Sequence, residues 1–269
     1  MRRRDYLLAI RMYEQAIALD PTYAMAHAGL ADAYSFLFRY AEARPENAEE
    51  ALRHSARAIE LDADCAEANT ARGTALFVRG QHGEAEKYFE TAILLNPNLF
   101  EPYFFYGRAC MAAGKTEKAA RLFQQAAEMN PTDYQSPSFL SQAYEAMGRP
   151  DLASRALARS IEIVERHLAQ DPDDSRALSM GAANLAETGD RERALEWTAR
   201  VLDLDGDAAA VQYNAACTFA VLGERGRALD CLERAVTLGW GDRGWLEHDG
   251  DLASLHGEQR FGALLARMA

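Results

Sequence analysis

Small and apolar residues recur along the chain at helical spacing, and they fall on a grid that repeats every 34 residues. Residues 104–131 show the pattern most clearly. Its landmarks are Tyr106, Gly107, Gly114, Ala119, Phe123, Ala126 and Pro131, and Arg72, Gly73, Gly80, Ala85, Phe89, Ala92 and Pro97 lie one period earlier. Six of the seven pairs keep their residue type, and Arg72 alone stands where an apolar side chain is expected. Each period predicts a pair of helices.

The same grid covers most of the chain. It predicts a half repeat at 1–21, six helical hairpins over 22–240 and a C-terminal cap at 241–269. From the second hairpin onward, a glycine stands where the first helix should end, because glycine tolerates left-handed backbone there. These glycines are Gly80, Gly114, Gly148, Gly189 and Gly223.

The period and its landmarks resemble the tetratricopeptide repeat. The resemblance covers about 240 of the 269 residues. It implies an all-α fold, a right-handed α-solenoid of helix hairpins with a concave inner face and a C-terminal capping helix. A weaker resemblance links the long first hairpin and the tail to repeat regions attached to bacterial Ser/Thr kinases and nucleotide cyclases.

The two helices of each hairpin should cross closely, so small residues are expected at the contact. We expect Gly73 opposite Ala85 and Gly107 opposite Ala119. Larger side chains such as Phe89 should fill the space toward the next repeat.

The first hairpin is eight residues too long between its helices, since Tyr34 to Ala51 spans 17 residues where Leu76 to Ala85 spans 9. The excess predicts a long loop at 36–47 that carries Phe36, Phe38 and Tyr40. Packing of these rings over the loop is favoured over contact with a partner.

The second helix of the fourth hairpin is extended, over 150–170. Leu157, Ile161, Val164 and Leu168 form an apolar stripe along it at helical spacing. Burial of this stripe against the fifth repeat is favoured over a projecting ridge that docks a partner.

The family resemblance also implies which residues line the inner groove. They belong to the first helix of each hairpin and include Asp32 and Glu101. The expected partner-binding residues are Thr70, Thr74, Phe77, Phe104, Arg108, Met111, Gln135, Gln142 and Tyr213. The Lys, Asn and Arg set with which chaperone-binding members grip a terminal carboxylate is absent. The aromatic and Met side chains suit an extended peptide or a helix with apolar anchors.

The N-terminal helix has an apolar face with no partner helix upstream in the sequence. Its residues are Leu7, Leu8, Ile10, Met12, Tyr13 and Ile17. Two explanations stay open: the half repeat comes from a longer polypeptide, or it closes by self-association into a homo-oligomer.

Composition narrows the class of partner and the compartment. The formal net charge is −12, and the pI is near 5.0. This acidity disfavours binding to nucleic acid phosphates and favours steering of a basic protein partner. The sequence predicts no signal peptide and no membrane span, so a cytoplasmic location is expected. Four cysteines without a C-x-x-C pair fit reduced, buried thiols.

No catalytic motif is legible, so the sequence predicts no enzyme, no cofactor and no metal. The densest polar cluster, Glu247, His248, Asp249, Asp251 and His256, is a weak candidate for a divalent cation, and a solvated tail loop is the favoured interpretation. The favoured function is a protein-interaction scaffold. The alternative is a regulatory repeat region of a larger bacterial signalling protein, whether a kinase, a cyclase or a transcription regulator.

Overall fold

The computed structural model describes residues 3–40, 44–240 and 243–268, apart from the side chains of residues 244, 245 and 248, and all regular structure in these ranges is helical. The α-helices are α1 (Arg3–Leu19), α2 (Ala24–Tyr40), α3 (Pro45–Leu61), α4 (Ala66–Val78), α5 (His82–Leu95), α6 (Phe100–Ala112), α7 (Thr116–Met129), α8 (Gln135–Ala146), α9 (Pro150–Leu168), α10 (Ser175–Glu187), α11 (Arg191–Asp205), α12 (Ala209–Val221), α13 (Arg225–Thr237), α14 (Arg243–His248) and α15 (Gln259–Arg267). A short 3-10 helix, Gly250–Leu255, precedes α15. The predicted all-α class is confirmed. No helix within these ranges combines the length and the apolar character needed to cross a bilayer.

The helices group into two compact units, Met1–Ala156 and Leu157–Ala269. In the first unit α2 packs on α3, α4 on α5 and α6 on α7, so consecutive helices form hairpins. The first helices of these hairpins and α8 also pack side by side, α2 with α4, α4 with α6 and α6 with α8. These four are called the inner helices below.

Glycines end the first helices of the hairpins as predicted. Gly80, Gly114, Gly148, Gly189 and Gly223 all have positive φ, between 67° and 80°. At Gly80 the turn is closed by a hydrogen bond from the Gln81 amide to the Leu76 carbonyl, 2.9 Å long. This bond satisfies a carbonyl that the end of the helix would otherwise leave without a partner.

At the close helix crossings, glycine is needed to make room for an aromatic ring, and not for the small residue expected opposite it. A Cβ on Gly73 would lie 2.7 Å from Cε1 of Phe89, and a Cβ on Gly107 would lie 2.7 Å from Cε1 of Phe123. The nearest neighbours are therefore the aromatic rings of the second helix, and not Ala85 or Ala119. Both rings are fully buried. Burying each ring contributes about 1.5–3 kcal/mol to folding.

The predicted loop at 36–47 is largely helical. The first helix continues to Tyr40 and the second begins at Pro45, so the additional residues lengthen both helices. Residues 41–43 lie outside the described part. Phe36 is half-buried and stacks on Phe105, with ring centroids 5.5 Å apart. Intramolecular cover thus accounts for this ring.

In the second unit, α10 pairs with α11 and α12 with α13, and the C-terminal segment packs on α12 and α13. The apolar side chains of that segment are buried. They are Leu246, Leu252, Leu255, Phe261 and Leu264. They extend the core formed by Phe219 and Leu232, as a terminal cap of a repeat array does.

The apolar stripe of α9 faces inward in the second unit. Val164 is fully buried and Leu168 is 9% exposed. The Ser160 hydroxyl accepts a hydrogen bond from Nδ2 of Asn184, 2.8 Å away on α10. These contacts support packing on the next hairpin, the interpretation that the sequence favours for this stripe.

Candidate functional site

Eight of the nine residues expected to bind a partner lie on the inner helices of the first unit. Thr70, Thr74 and Phe77 are on α4, Phe104, Arg108 and Met111 on α6, and Gln135 and Gln142 on α8. The ninth, Tyr213, is on α12 in the second unit. The face of the inner helices that carries the eight residues is called the inner face.

Side chains reach across the inner face from α2 to α6, although α4 lies between these helices. Phe36 stacks on Phe105, and the Arg108 guanidinium donates a hydrogen bond to the Tyr40 hydroxyl. Two helices that flank a third can touch in this way only if the layer bends toward that side. The inner face of the first unit is therefore concave.

The guanidinium of Arg108 lies where all four inner helices meet. Its Cζ is 5.7 Å from the ring centroid of Tyr40, 5.9 Å from that of Phe77, 5.8 Å from that of Phe104 and 5.2 Å from that of Phe139. Each ring comes from a different inner helix. Arg108 is only 7% exposed, so its charge is held largely by aromatic faces.

Two carboxylates lie at the other end of the inner face. Asp32 is half-buried on α2, and its Oδ1 is buried without a hydrogen-bond partner in the described structure. The pKa of Asp32 is raised to about 8, chiefly by burial and to a smaller extent by the negative charge of Glu101 on α6. The inner face thus carries a buried carboxyl group and the exposed carboxylate of Glu101 at one end, and the Arg108 cation at the other.

Sequence profiles of one family match the chain. Two tetratricopeptide repeat profiles match it, one over residues 39–100 and 70–134 and the other over residues 111–182. The chain belongs to the tetratricopeptide repeat family. No curated protein matches this sequence.

Solved structures with the same fold include larger tetratricopeptide-type arrays. The human IFIT1 dimer with m7Gppp-AAAA matches with a TM-score of 0.67 and 17% identity, over 87% of this chain and 55% of that chain. The Cut9–Hcn1 hetero-tetramer of the APC/C matches with a TM-score of 0.63 and 15% identity, over 99% of this chain and 46% of that chain. At these identities the likeness concerns the fold alone.

Within these tetratricopeptide repeats, the predicted polar residues differ in what they offer to a partner. The hydroxyls of Thr70 and Thr74 donate to the carbonyls of Ala66 and Thr70, each 2.9 Å away in the same helix. Their protons are therefore used locally. Gln142 is exposed, and Oε1 of Gln135 is buried without a partner in the described part of the chain.

Three contributors to the inner face are not among the residues expected from the sequence. Tyr40 falls in the predicted loop, although helical spacing of apolar residues continues through it. Phe139 lies on α8 between the predicted residues Gln135 and Gln142. Arg39 places its Cζ 5.3 Å from the Phe77 centroid and brings a second guanidinium to that ring. The continuous helical pattern is the signal that could have identified Tyr40 and Arg39.

Tyr213 is covered by the C-terminal cap of its own unit. Its ring stacks on Trp240 with centroids 4.2 Å apart and an interplanar angle of 8°. Its hydroxyl donates to Asp249. The contacts of Tyr213 within the second unit are those of a packing residue.

The polar cluster of the tail separates into different contacts. Glu247 forms an i,i+4 ion pair within α14, and His256 stacks on a ring in α15; the His248 side chain lies outside the described part. Asp249 and Asp251 instead converge with Cys217, their ligand atoms within 4.8 Å of one another. Burial raises the pKa of Asp249 to about 6, and its Oδ1 accepts from the Asp251 amide. Asp249 is the N-cap of the 3-10 helix, and this structural role explains the position of its carboxylate without a metal ion.

A second group with metal-ligand chemistry is formed by His167, Asp171 and Asp174. Asp174 caps α10 through the amides of Arg176 and Ala177. Its other oxygen lies 3.0 Å from Nε2 of His167. Capping accounts for this carboxylate as well, and its lowered pKa follows from these hydrogen bonds, which outweigh the opposing effect of burial.

Proposed function

We propose that this protein is a non-catalytic interaction scaffold whose inner face binds an extended peptide segment of a protein partner. The observation that carries the proposal is the convergence of aromatic and polar side chains from four helices on one concave face. Repeat arrays of this kind present extended concave surfaces for binding.

The residues of the inner face divide into a floor and a rim. Phe77 and Phe104 are 6% and 3% exposed and form the floor. Met111 and Gln135 are half-buried, and Gln142 is exposed. A peptide lying on this face would cover the floor and exchange hydrogen bonds with the two glutamine amides, which act as donor and acceptor.

The proposal is tested by selecting ligands for the full chain from a random dodecapeptide display library. The selected peptides should lose binding to Met111→Lys and Gln142→Lys variants, because each lysine would place a bulky charged group on the rim. Gln125→Lys is the matched control, since Gln125 is exposed on α7. Peptides that bind all three variants equally would show that the inner face is not the site.

Substitutions of the floor residues Phe77 and Phe104 are poorly suited to this test. Phe104 packs against the rings of Phe105, Phe123 and Phe139. Truncation to alanine would leave a cavity and cost about 3–5 kcal/mol of folding stability. Loss of binding in Phe104→Ala would then report unfolding as readily as loss of a contact.

Self-association through the N-terminal helix stays a separate proposal. Tyr6 and Ile10 of α1 are buried, whereas Leu8 and Met12 are 52% and 57% exposed. Light scattering of the wild type and of Leu8→Glu/Met12→Glu tests it, and a concentration-independent monomeric mass for the wild type would reject it.

A further inference from the structure

Arg108 is a buried cation that has no anionic partner among the described residues. Its guanidinium donates one hydrogen bond, to the Tyr40 hydroxyl, and the remaining contacts are with ring faces. No carboxylate of the described chain forms an ion pair with it. A guanidinium has five N–H donors and is costly to bury when they are unused. An external acceptor would complete the hydrogen bonding of this cation.

At the other end of the inner face, a carboxyl group lacks a cationic partner in the described structure. Oδ1 of Asp32 is buried and has no hydrogen-bond partner among the residues that the structure describes, and the negative charge of Glu101 acts on this carboxyl group. Neither carboxylate forms an ion pair with a basic group in the described part of the chain. An external cation beside the exposed Glu101 carboxylate would relieve this repulsion.

Asp32 and Arg108 do not serve as partners for each other, because they make no ion pair across the inner face. Glu101 and Arg108 lie on the same helix, seven residues apart. At 1.5 Å per residue, their positions are separated by about 10 Å along α6. Phe104 lies between them on that helix and supplies an apolar floor.

We propose that the peptide bound on the inner face carries one basic and one acidic side chain about three residues apart. The basic side chain would lie at Asp32 and Glu101, and the acidic one at Arg108. A polyproline II segment rises about 3.1 Å per residue and returns side chains to the same face every third residue, which matches the span of about 10 Å. This inference rests on the proposed peptide-binding function.

The first experiment compares the peptides that the dodecapeptide library yields on the wild type, on Arg108→Gln and on Asp32→Asn. Wild-type ligands should be enriched in a basic and an acidic residue at a spacing of three. Arg108→Gln should lose the acidic preference alone, and Asp32→Asn the basic preference alone. Arg121→Gln and Asp64→Asn make the same charge changes at exposed positions and should leave both preferences intact.

A second experiment measures affinity by fluorescence anisotropy with synthetic forms of the best wild-type ligand. Replacing its acidic residue with alanine should weaken binding to the wild type by about 10- to 100-fold, the usual range for a hydrogen bond to a charged group. The same replacement should have no effect on binding to Arg108→Gln. Equal loss on both proteins would overturn the assignment of Arg108.

The outcomes separate this inference from the proposed function. If no selected peptide depends on Met111 and Gln142, peptide binding on the inner face is itself rejected. If selected peptides depend on those residues but carry charges of one sign, or charges that are indifferent to Arg108→Gln and Asp32→Asn, only the charge-pair inference is rejected. Thermal melts of each variant establish that the compared proteins are folded.

Discussion

The side chains of His27 and His54 meet nitrogen to nitrogen, with their Nδ1 atoms 3.0 Å apart and their rings stacked. Nε2 of His54 lies 2.8 Å from the Arg53 guanidinium, which can only donate. His54 must therefore carry its proton on Nδ1 and donate to Nδ1 of His27. Nε2 of His27 in turn donates to the Pro21 carbonyl, 3.3 Å away. This chain of bonds requires both imidazoles to be neutral.

Acid should therefore destabilise the first unit through this pair. Burial lowers the pKa of His54 to about 4, and the Arg53 charge acts in the same direction, while Glu50 opposes them. An unfolded histidine titrates near 6.5, so the unfolded chain takes up the proton first as the pH falls. Stability contributed by the neutral pair is present above about pH 6.5 and is lost between about pH 6.5 and pH 4.

Thermal melts over this range check the prediction. His54→Asn has no titrating ring at this position and should lose less melting temperature than the wild type as the pH falls. His256→Asn is the control, because its imidazole is exposed. Parallel pH profiles for the wild type and His54→Asn would contradict the role of the pair.

Asp32 should make stability depend on pH in the opposite direction from the His27–His54 pair. Its pKa is raised from 3.8 to about 8, chiefly by burial. The unfolded chain releases this proton at lower pH than the folded chain, so stability is lost as the pH rises from about 4 to about 8. We expect Asp32→Asn to melt at higher temperature than the wild type, with a gap that widens across this range. Asp64→Asn should show no such widening.

Gly107→Ala should destabilise the hairpin of α6 and α7. The new methyl group would lie 2.7 Å from the ring of Phe123, which is fully buried. Overpacking of this kind costs about 1–3 kcal/mol. Gly83→Ala is the matched control, because a Cβ at Gly83 would have no atom within 4 Å and alanine favours helix by about 0.5–1 kcal/mol. Denaturant unfolding of both variants should give free-energy changes of opposite sign.

Arg72 should resist replacement by the apolar residue that the repeat pattern favours. Its Nη1 donates to the Leu52 carbonyl at 3.1 Å and to the Ser55 hydroxyl at 3.4 Å, and its Cζ lies 5.8 Å from the Tyr88 centroid. Arg72→Leu should cost about 1 kcal/mol through the lost hydrogen bonds. Urea unfolding measures this, with Arg121→Leu, an exposed position, as control; a gain in stability would show that the pattern outweighs these contacts.

The hairpins were predictable because their determinants are local. The left-handed turn at Gly114 needs only a glycine at the end of a helix, and the apolar period of α7 needs only its own sequence. The residue that packs against Gly107 was not predictable from such local sequence features. The period fixes which residues share a helix face, but the crossing angle decides whether Ala119 or Phe123 lies closest.

By itself, the sequence determined the helical hairpins, the glycine ends of their first helices from α4 onward and the repeat family, since these depend on spacings of a few residues and on the 34-residue period. Only the tertiary structure decided which side chains share a site. Arg108 and Tyr40 are 68 residues apart and meet because the inner helices bend over α4. Tyr213 has an equivalent repeat position, yet the cap covers it. The bend and the cover arise from packing summed over many helices, which no single repeat encodes.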